Sequence, residues 1–270
     1  MARSALMNVM VAAARKASRS LRRDFGEVEN LQVSLKGPAD FVSAADRRVE
    51  EILREELERA RPGYGFLMEE SGAIAGADRT HRWIVDPIDG TTNFLHGIPL
   101  FAISIALERE GEIVAGLIYN PIADEMFVAE RGSGAFFNDR RIRVSGRRDL
   151  GQAVITCGIP HRDRGDPVRF SRELLALQTQ VAGIRRTGAA ALDLAWLAAG
   201  RFDGFWEWGL HPWDIAAGIL LVEEAGGMVG ALDGARNVIA SGNVIAANPD
   251  LFTDLERILR RVRDIAPAVR

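Results

Sequence analysis

The sequence predicts a mixed α/β (α+β) protein with two lobes, residues 1–150 and residues 151–270. Two patterns support this class. In residues 100–144, short β-prone runs are separated by turn dipeptides, which indicates an antiparallel sheet. After Gln152, strands and helical segments alternate, as is typical of an α/β layer. The chain has 270 residues and is 47% apolar, which is enough for a substantial core.

Two amphipathic helices are expected at the start of the first lobe. In the first helix, apolar residues recur at helical spacing at Leu6, Val9, Met10, Ala13, Ala17 and Leu21. The second helix begins near Ser43 and Asp46, whose spacing fits a capping box, and ends at Pro62-Gly63. Helix capping alone is therefore one explanation for Asp46.

Two apolar runs of the first lobe lead into acidic residues. Residues 65–68 lead into Glu69, and residues 83–85 lead into Asp86. If these strands are parallel, their ends place the two carboxylates side by side, and the repulsion between them favours a bound divalent cation. Taken alone, the pair Glu69-Glu70 is more typical of a solvated loop.

The stretch after Asp86 collects oxygen ligands in a sharp turn. Pro87 is expected to end the strand, and Asp89 follows with the Ile88 carbonyl between the two acids. Gly90 permits the turn. Carboxylate and carbonyl oxygens suit a hard cation such as Mg²⁺.

Thr91 and Thr92 are predicted to cap a helical turn, and the free N–H groups at such a helix start suit a phosphate. A surface turn is the alternative explanation for this Asp-Gly-Thr sequence. The order of the acids does not fit an EF-hand, because a Glu at the twelfth loop position is missing.

The remaining predicted elements follow from the same patterns. In the first lobe, strands are expected at residues 101–107, 113–119 and 125–129, with turns at Glu110-Gly111 and Asn138-Asp139. In the second lobe, the predicted order is strand 153–157, helix 167–180, strand 182–186, helix 189–199, strand 204–208 and helix 213–225. Glu207, His211 and Asp214 then lie near one end of this lobe. A structural role for His211 and a helix-capping role for Asp214 are the alternatives to a functional site.

Four separated motifs resemble the inositol monophosphatase family, specifically its bacterial inositol-1-monophosphatase or extragenic suppressor type. They are the loop from Lys36 to Asp46, Met68-Glu69-Glu70-Ser71, Asp86-Pro-Ile-Asp-Gly-Thr-Thr-Asn-Phe94 and Trp213-Asp214-Ile-Ala-Ala-Gly218. The resemblance extends to Gly226-Gly227. It implies the layered α-β-α-β-α sandwich that this family shares with fructose-1,6-bisphosphatases.

The resemblance also implies an activity and its residues. Members are Mg²⁺-dependent, Li⁺-sensitive phosphatases and usually homodimers, so we expect hydrolysis of myo-inositol monophosphate by metal-activated water. The implied ligands of two or three Mg²⁺ ions are Glu69, Asp86, the Ile88 carbonyl, Asp89 and Asp214. The implied catalytic residues are Glu69 and Thr91 paired with Asp46. The implied substrate-binding residues are Asp89, Gly90, Thr91, Ala190, Glu207 and His211.

One departure from the family pattern concerns the substrate. Many relatives have Gly-[Ser/Thr]-Ala-Ala where this chain has Gly188-Ala189-Ala190-Ala191, so a hydroxyl near the sugar site is missing. Fructose 1,6-bisphosphate, histidinol phosphate and a 3′-phosphoadenosine nucleotide are alternative substrates. A regulatory protein with an RNA-linked role is a further alternative.

Charge and cysteine content limit the partners. A net charge of −3 argues against broad nucleic-acid binding. The cluster Arg140, Arg141, Arg143, Arg147 and Arg148 is expected to be a solvated loop. Cys157 is the single cysteine, so no intramolecular disulfide forms, and no apolar run reaches the roughly 20 residues of a membrane span. We therefore expect a cytoplasmic protein.

Overall fold

Two large β-sheets alternate with three layers of helices, which confirms the predicted α-β-α-β-α sandwich. Residues 33–35 and 41–43 form a separate two-stranded sheet. The structure is a computed structural model that describes residues 3–25, 33–35, 41–160 and 165–265, with the backbone alone at 33–35, 41–43 and 263–265. The described helices α1 to α8 span Ala5–Phe25, Ala44–Ala60, Thr91–Leu95, Pro167–Gln178, Ala190–Ala198, Pro212–Glu224, Val238–Ser241 and Pro249–Ile265. The described strands β1 to β15 span Val33–Leu35, Phe41–Ser43, Tyr64–Met68, Gly72–Ile74, Asp78–Asp89, Ala102–Arg109, Glu112–Asn120, Glu125–Glu130, Gly134–Phe137, Arg140–Ile142, Val154–Cys157, Gly183–Arg185, Gly204–Glu207, Met228–Ala231 and Val244–Ala247.

The first helical layer consists of α1 and α2, which cover one face of an eight-stranded sheet. Buried Met10 and Leu21 follow the helical spacing predicted for α1, and Leu53 and Leu57 are buried in α2 at the same kind of spacing. The sheet has the order β10-β9-β8-β7-β6-β5-β3-β4. It is antiparallel through the predicted region, whereas β3 and β5 run parallel.

The middle layer consists of α5 and α6, which lie between the two sheets. Both helices are apolar on nearly every side, because each is covered by protein in all directions. Their close approach requires a small residue: a Cβ atom added at Gly218 of α6 would lie 2.6 Å from Leu194 of α5.

The outer layer consists of α4 and α8, which pack together beside a five-stranded sheet of order β12-β11-β13-β15-β14. The predicted alternation of strands and helices from residue 153 to residue 225 is confirmed within one or two residues at each end. In the described part of the chain, no helix has the length and apolarity needed to cross a membrane.

Two predictions about the start of α2 fall largely outside the described residues. The Lys36 loop is among them, and for Ser43 only the backbone is described, so the capping box stays a prediction. Asp46 itself lies in the first turn of α2 and is buried, with 1% of its surface exposed.

Candidate active site

The ends of two parallel strands bring Glu69 and Asp86 together. Leu67 of β3 is paired with Ile84 of β5, and the Glu69 N–H donates to the Val85 carbonyl at 3.2 Å. Side chains alternate between the faces of a strand, so each acid lies on the same face as the apolar residue two positions before it. That face is covered by the middle helices. The two carboxylates therefore lie side by side at the strand ends.

An irregularity in β5 carries the chain from Asp86 to Asp89. The prediction that Pro87 ends the strand is wrong, because β5 continues to Asp89. Its register against β6 shifts between the two acids, so Pro87 and Ile88 have no partners in the ladder. Proline has no backbone N–H, and at this position no hydrogen bond between the strands is lost. The Ile88 N–H instead donates to the Asp86 carboxylate at 2.9 Å.

Gly90 starts the short helix α3 from a left-handed backbone conformation, with φ of 94°. Here the sequence prediction is also wrong, since Gly90 occupies the capping position that was assigned to Thr91 and Thr92. The Thr91 hydroxyl donates to the Ile88 carbonyl at 3.0 Å. A side chain at position 90 would crowd the Leu100 carbonyl oxygen at 3.0 Å, which is a second reason for glycine.

Asp214 approaches the same point from the other side of the cleft. It lies in the first turn of α6, where its carboxylate accepts the His211 N–H at 2.7 Å. The capping role predicted as an alternative is thus present. One oxygen atom from each of Asp86, Asp89 and Asp214 lies within 4.8 Å of the others, an arrangement able to hold a metal ion.

Glu69, Asp86, Asp89 and Asp214 form a cluster that we call the acidic group. The electrostatics of the acidic group favour a bound cation. Burial, with smaller effects from neighbouring carboxylates, raises the pKa of Glu69 to about 8. The same two causes raise the pKa values of Asp86 and Asp89 well above the usual range. The negative charge of Asp46 also raises the pKa of Glu69. Buried oxygen donors of one charge sign fit a hard divalent cation.

Asp89 also connects the acidic group to the middle helical layer. Its carboxylate accepts the Ala191 N–H, in the first turn of α5, at 2.7 Å. Ala189 is the N-cap residue of α5 and has no side-chain cap bond. Asp89 therefore supplies the hydrogen bond that Ser or Thr at position 189 would otherwise provide.

A cleft of about 320 Å³ opens above the acidic group. The predicted site residues that line it are Glu69, Asp86, Ile88, Asp89, Gly90, Thr91, Ala190, Glu207, His211 and Asp214. Asp46 is not among the lining residues, and its pairing with Thr91 stays a prediction. A Cβ atom at Gly158 would lie 1.9 Å from the Glu207 carboxyl carbon, so a glycine at 158 gives Glu207 its place.

Further polar residues that were not predicted as site residues also line the cleft, among them Arg186, Asn93 and Asp193. Arg186 is the one arginine among the lining residues that the structure describes. Asn93 donates to the carbonyls of Leu100 and Thr187, at 2.7 and 2.8 Å, and so joins α3 to the segment before α5. Asp193 is buried in α5, and burial raises its pKa to about 7. For Asp193, the only signal in the sequence was a single acidic residue within an apolar helical segment.

Comparison with known proteins gives consistent matches along the whole chain. Residues 2–265 match the model of the inositol monophosphatase family. The inositol-1-monophosphatase of Mesorhizobium japonicum is 65% identical over 92% of this chain and 93% of its own length. The Nus factor SuhB of Pasteurella multocida is 41% identical over 93% and 94%. The crystal structure of the extragenic suppressor protein SuhB from Bartonella henselae has a TM-score of 0.93 at 62% identity, covering 96% of this chain and 99% of that one.

Proposed function

The chain belongs to the inositol monophosphatase family, and we propose that it is a Mg²⁺-dependent phosphatase that hydrolyses myo-inositol monophosphate to inositol and phosphate. The observation that carries this proposal is the convergence of Asp86, Asp89 and Asp214 in one cleft. A phosphate monoester is an anion and would be repelled by these acids. A cation between the acids and the phosphate removes that repulsion.

We assign the metal-binding role to Glu69, Asp86, the Ile88 carbonyl, Asp89 and Asp214, with two or three Mg²⁺ ions. Bound Mg²⁺ supplies Lewis-acid activation of water and neutralises the leaving alkoxide. Because the Thr91 hydroxyl donates to the Ile88 carbonyl, the lone pairs of the hydroxyl oxygen stay available to accept a hydrogen bond from the attacking water and so to orient it. The N–H groups of Gly90 and Thr91 are the proposed donors to the phosphate oxygens.

The part of the cleft around Glu207 is the proposed polyol site. The Glu207 carboxylate is an acceptor for hydroxyl groups of the substrate, and His211 and Ala190 also line the cleft. A site that hydrogen-bonds hydroxyl groups discriminates against phosphate esters without them, because its polar groups are then left unpaired.

The test is phosphate release from a panel of esters, measured with Mg²⁺ and with EDTA. The panel contains myo-inositol 1-phosphate, fructose 1,6-bisphosphate, histidinol phosphate and 3′-phosphoadenosine 5′-phosphate. We expect the highest kcat/KM for myo-inositol 1-phosphate and no turnover in EDTA. Preference for another ester would replace the substrate but keep the chemistry, whereas turnover that does not depend on metal would contradict the proposal.

A regulatory role remains the second candidate, since relatives at about 41% identity carry the name Nus factor. The arginine cluster gives this candidate little support. Arg147 pairs with the buried Asp203 at 3.0 Å, and Arg148 lies 3.5 Å from Asp250. These arginines are thus partly neutralised, and nucleic acid is not a proposed partner.

For the enzyme we propose a homodimer, which light scattering in solution would test.

A further inference from the structure

A buried carboxylate on α4 binds two tryptophan side chains at the end of β13. Glu173 is fully buried, and one of its oxygens accepts the Trp206 indole N–H at 3.0 Å. Its other oxygen accepts the Trp208 indole N–H, also at 3.0 Å. We call Glu173, Trp206 and Trp208 the indole clamp.

The clamp holds the two residues on either side of Glu207. Successive side chains of a strand point to opposite faces, so Trp206 and Trp208 face α4 while Glu207 faces the cleft. Pairing with β11 stops at Trp206, and among the described strands Glu207 has a ladder partner, Val244, in β15 alone. At this strand end no β11 residue pairs with Glu207, and the indole clamp supports the strand instead.

Other contacts fix the orientation of the clamp itself. The Phe170 ring stacks on Trp206, with 6.1 Å between the ring centroids. The Arg169 guanidinium lies 3.8 Å above the centre of the Trp208 ring. A carboxylate is costly to bury, and an apolar residue would fill this space without that penalty. The directional hydrogen bonds of Glu173 therefore point to a requirement for orientation.

We propose that Glu173 is a positioning residue that sets polyol specificity by fixing the direction of the Glu207 carboxylate. This inference rests on the proposed function, in which Glu207 accepts substrate hydroxyls. Asp214 has its own support, because the Leu210 N–H donates to the Gly242 carbonyl at 2.9 Å and the His211 N–H donates to Asp214. Loosening the indole clamp should therefore affect the proposed polyol site and leave the acidic group in place.

The experiment compares Glu173→Gln with the wild type on two substrates, myo-inositol 1-phosphate and p-nitrophenyl phosphate, at saturating Mg²⁺. Glutamine replaces one carboxylate oxygen by an NH₂ group, which cannot accept a hydrogen bond. The 3.0 Å bond from Trp208 is then lost, and Trp208 keeps only its longer 3.2 Å contact with the oxygen that also accepts from Trp206. We expect kcat/KM for the inositol ester to fall about tenfold, mainly through KM. Turnover of p-nitrophenyl phosphate, which has no hydroxyl groups, and the Mg²⁺ dependence should stay unchanged. Tryptophan emission should shift, because an indole N–H changes its partner.

A double-mutant cycle with Glu207→Gln separates positioning from general damage. If Glu173 acts through Glu207, Glu173→Gln should have no further effect on kcat/KM in the Glu207→Gln background. Equal losses on both substrates, or additive effects in the cycle, would overturn the inference. Glu256→Gln on α8 is the matched control. If Glu173→Gln does not fold, Trp208→Phe removes one hydrogen bond of the clamp and provides the same comparison.

Failure of the proposed function would be seen separately, in the wild type. If the wild type does not favour polyol phosphates over p-nitrophenyl phosphate, Glu207 does not select hydroxyl groups. The proposed polyol site is then wrong, and the inference about Glu173 that rests on it is wrong as well. If the wild type does favour them and Glu173→Gln retains the full preference, the indole clamp alone is refuted.

Discussion

At the scale of single residues, two acids of the cleft make a structural hydrogen bond as well. Asp89 accepts the Ala191 N–H, and Asp214 accepts the His211 N–H. For Asp214, the sequence offered a helix cap and a metal ligand as alternatives. The geometry is compatible with both roles, because a carboxylate has two oxygens and about four lone-pair positions. Structural and functional explanations of a polar residue are therefore not exclusive here.

Replacement of Asp89 by Asn tests the functional half of this dual role. The Asn oxygen still accepts the Ala191 N–H, and removal of one buried charge relieves repulsion, so the metal-free protein should melt no lower than the wild type. Mg²⁺-dependent phosphate release should fall at least about 100-fold, on the order of the loss of one essential electrostatic contact. Asp139→Asn, on an exposed turn, is the control. Normal turnover by folded Asp89→Asn protein would remove Asp89 from the site.

Replacement of Asp193 by Asn tests the electrostatics of the middle helices. Burial raises the folded-state pKa of Asp193 to about 7, above its ordinary value, while the Thr187 hydroxyl donates to it at 2.7 Å. The folded state thus binds this proton more tightly than the unfolded state does. The stabilising effect is complete below pH 4 and is lost as the pH rises through 7.

The free energy of unfolding of the wild type relative to Asp193→Asn should therefore decrease from pH 4 to pH 8, by up to about 4 kcal/mol. Urea unfolding in EDTA at pH 4 and pH 8 measures this difference. The Asn oxygen keeps the Thr187 hydrogen bond, so the comparison isolates the charge. A difference that does not change with pH would show that Asp193 has an ordinary pKa.

At the scale of elements, the spacing of apolar residues was sufficient to predict helices that have one buried face. The helices α1 and α2 follow the apolar spacing of Met10, Leu21, Leu53 and Leu57 because only one face of each is buried. The end of β5 was predicted wrongly, since a break in the ladder that accommodates Pro87 depends on its pairing with β6. Similarly, the insertion of β15 between β13 and β14 depends on contacts between distant segments, which local sequence does not encode.

Gly218→Ala should reveal how tightly the middle layer is packed. The added methyl group would lie 2.6 Å from Leu194, and the buried helices have little room to separate. We expect a loss of about 1–3 kcal/mol in the free energy of unfolding, in spite of the higher helix propensity of alanine. Gly146→Ala is the control, because a Cβ atom there meets nothing within 4 Å. Equal stability of the two variants would show that α5 and α6 move apart easily.

At the scale of the whole molecule, the acidic group draws on both parts of the chain. The sequence placed Glu69 and Asp86 together, because two parallel strand ends are a local pattern repeated twice. It did not reveal that Asp89 reaches the N-terminus of α5 or that Arg186 and Asn93 line the cleft, since these positions depend on how the layers stack. For Asp214 the link came from family resemblance. The proposed boundary at residue 150 separates Glu69, Asp86 and Asp89 from Asp214 in the sequence.

A bound cation should join the two parts of the chain. Asp86 and Asp89 precede residue 150 and Asp214 follows it, so a cation held by all three should stabilise both parts of the chain together. A ligand that binds only the folded state adds about 2.7 kcal/mol at 100 times its Kd. The melting temperature of the wild type should therefore rise with Mg²⁺ concentration, and EDTA should reverse the rise.

Asp214→Asn should lose most of this Mg²⁺-dependent rise. Its Asn oxygen still accepts the His211 N–H and preserves the start of α6, and the metal-free variant should melt no lower than the metal-free wild type, since one repelling charge is gone. Asp250→Asn, in the first turn of α8, is the control and should respond to Mg²⁺ like the wild type. An unchanged Mg²⁺ response in Asp214→Asn would mean that the cation is held by Glu69, Asp86 and Asp89 alone. In that case the two parts of the chain would be joined by packing rather than by metal.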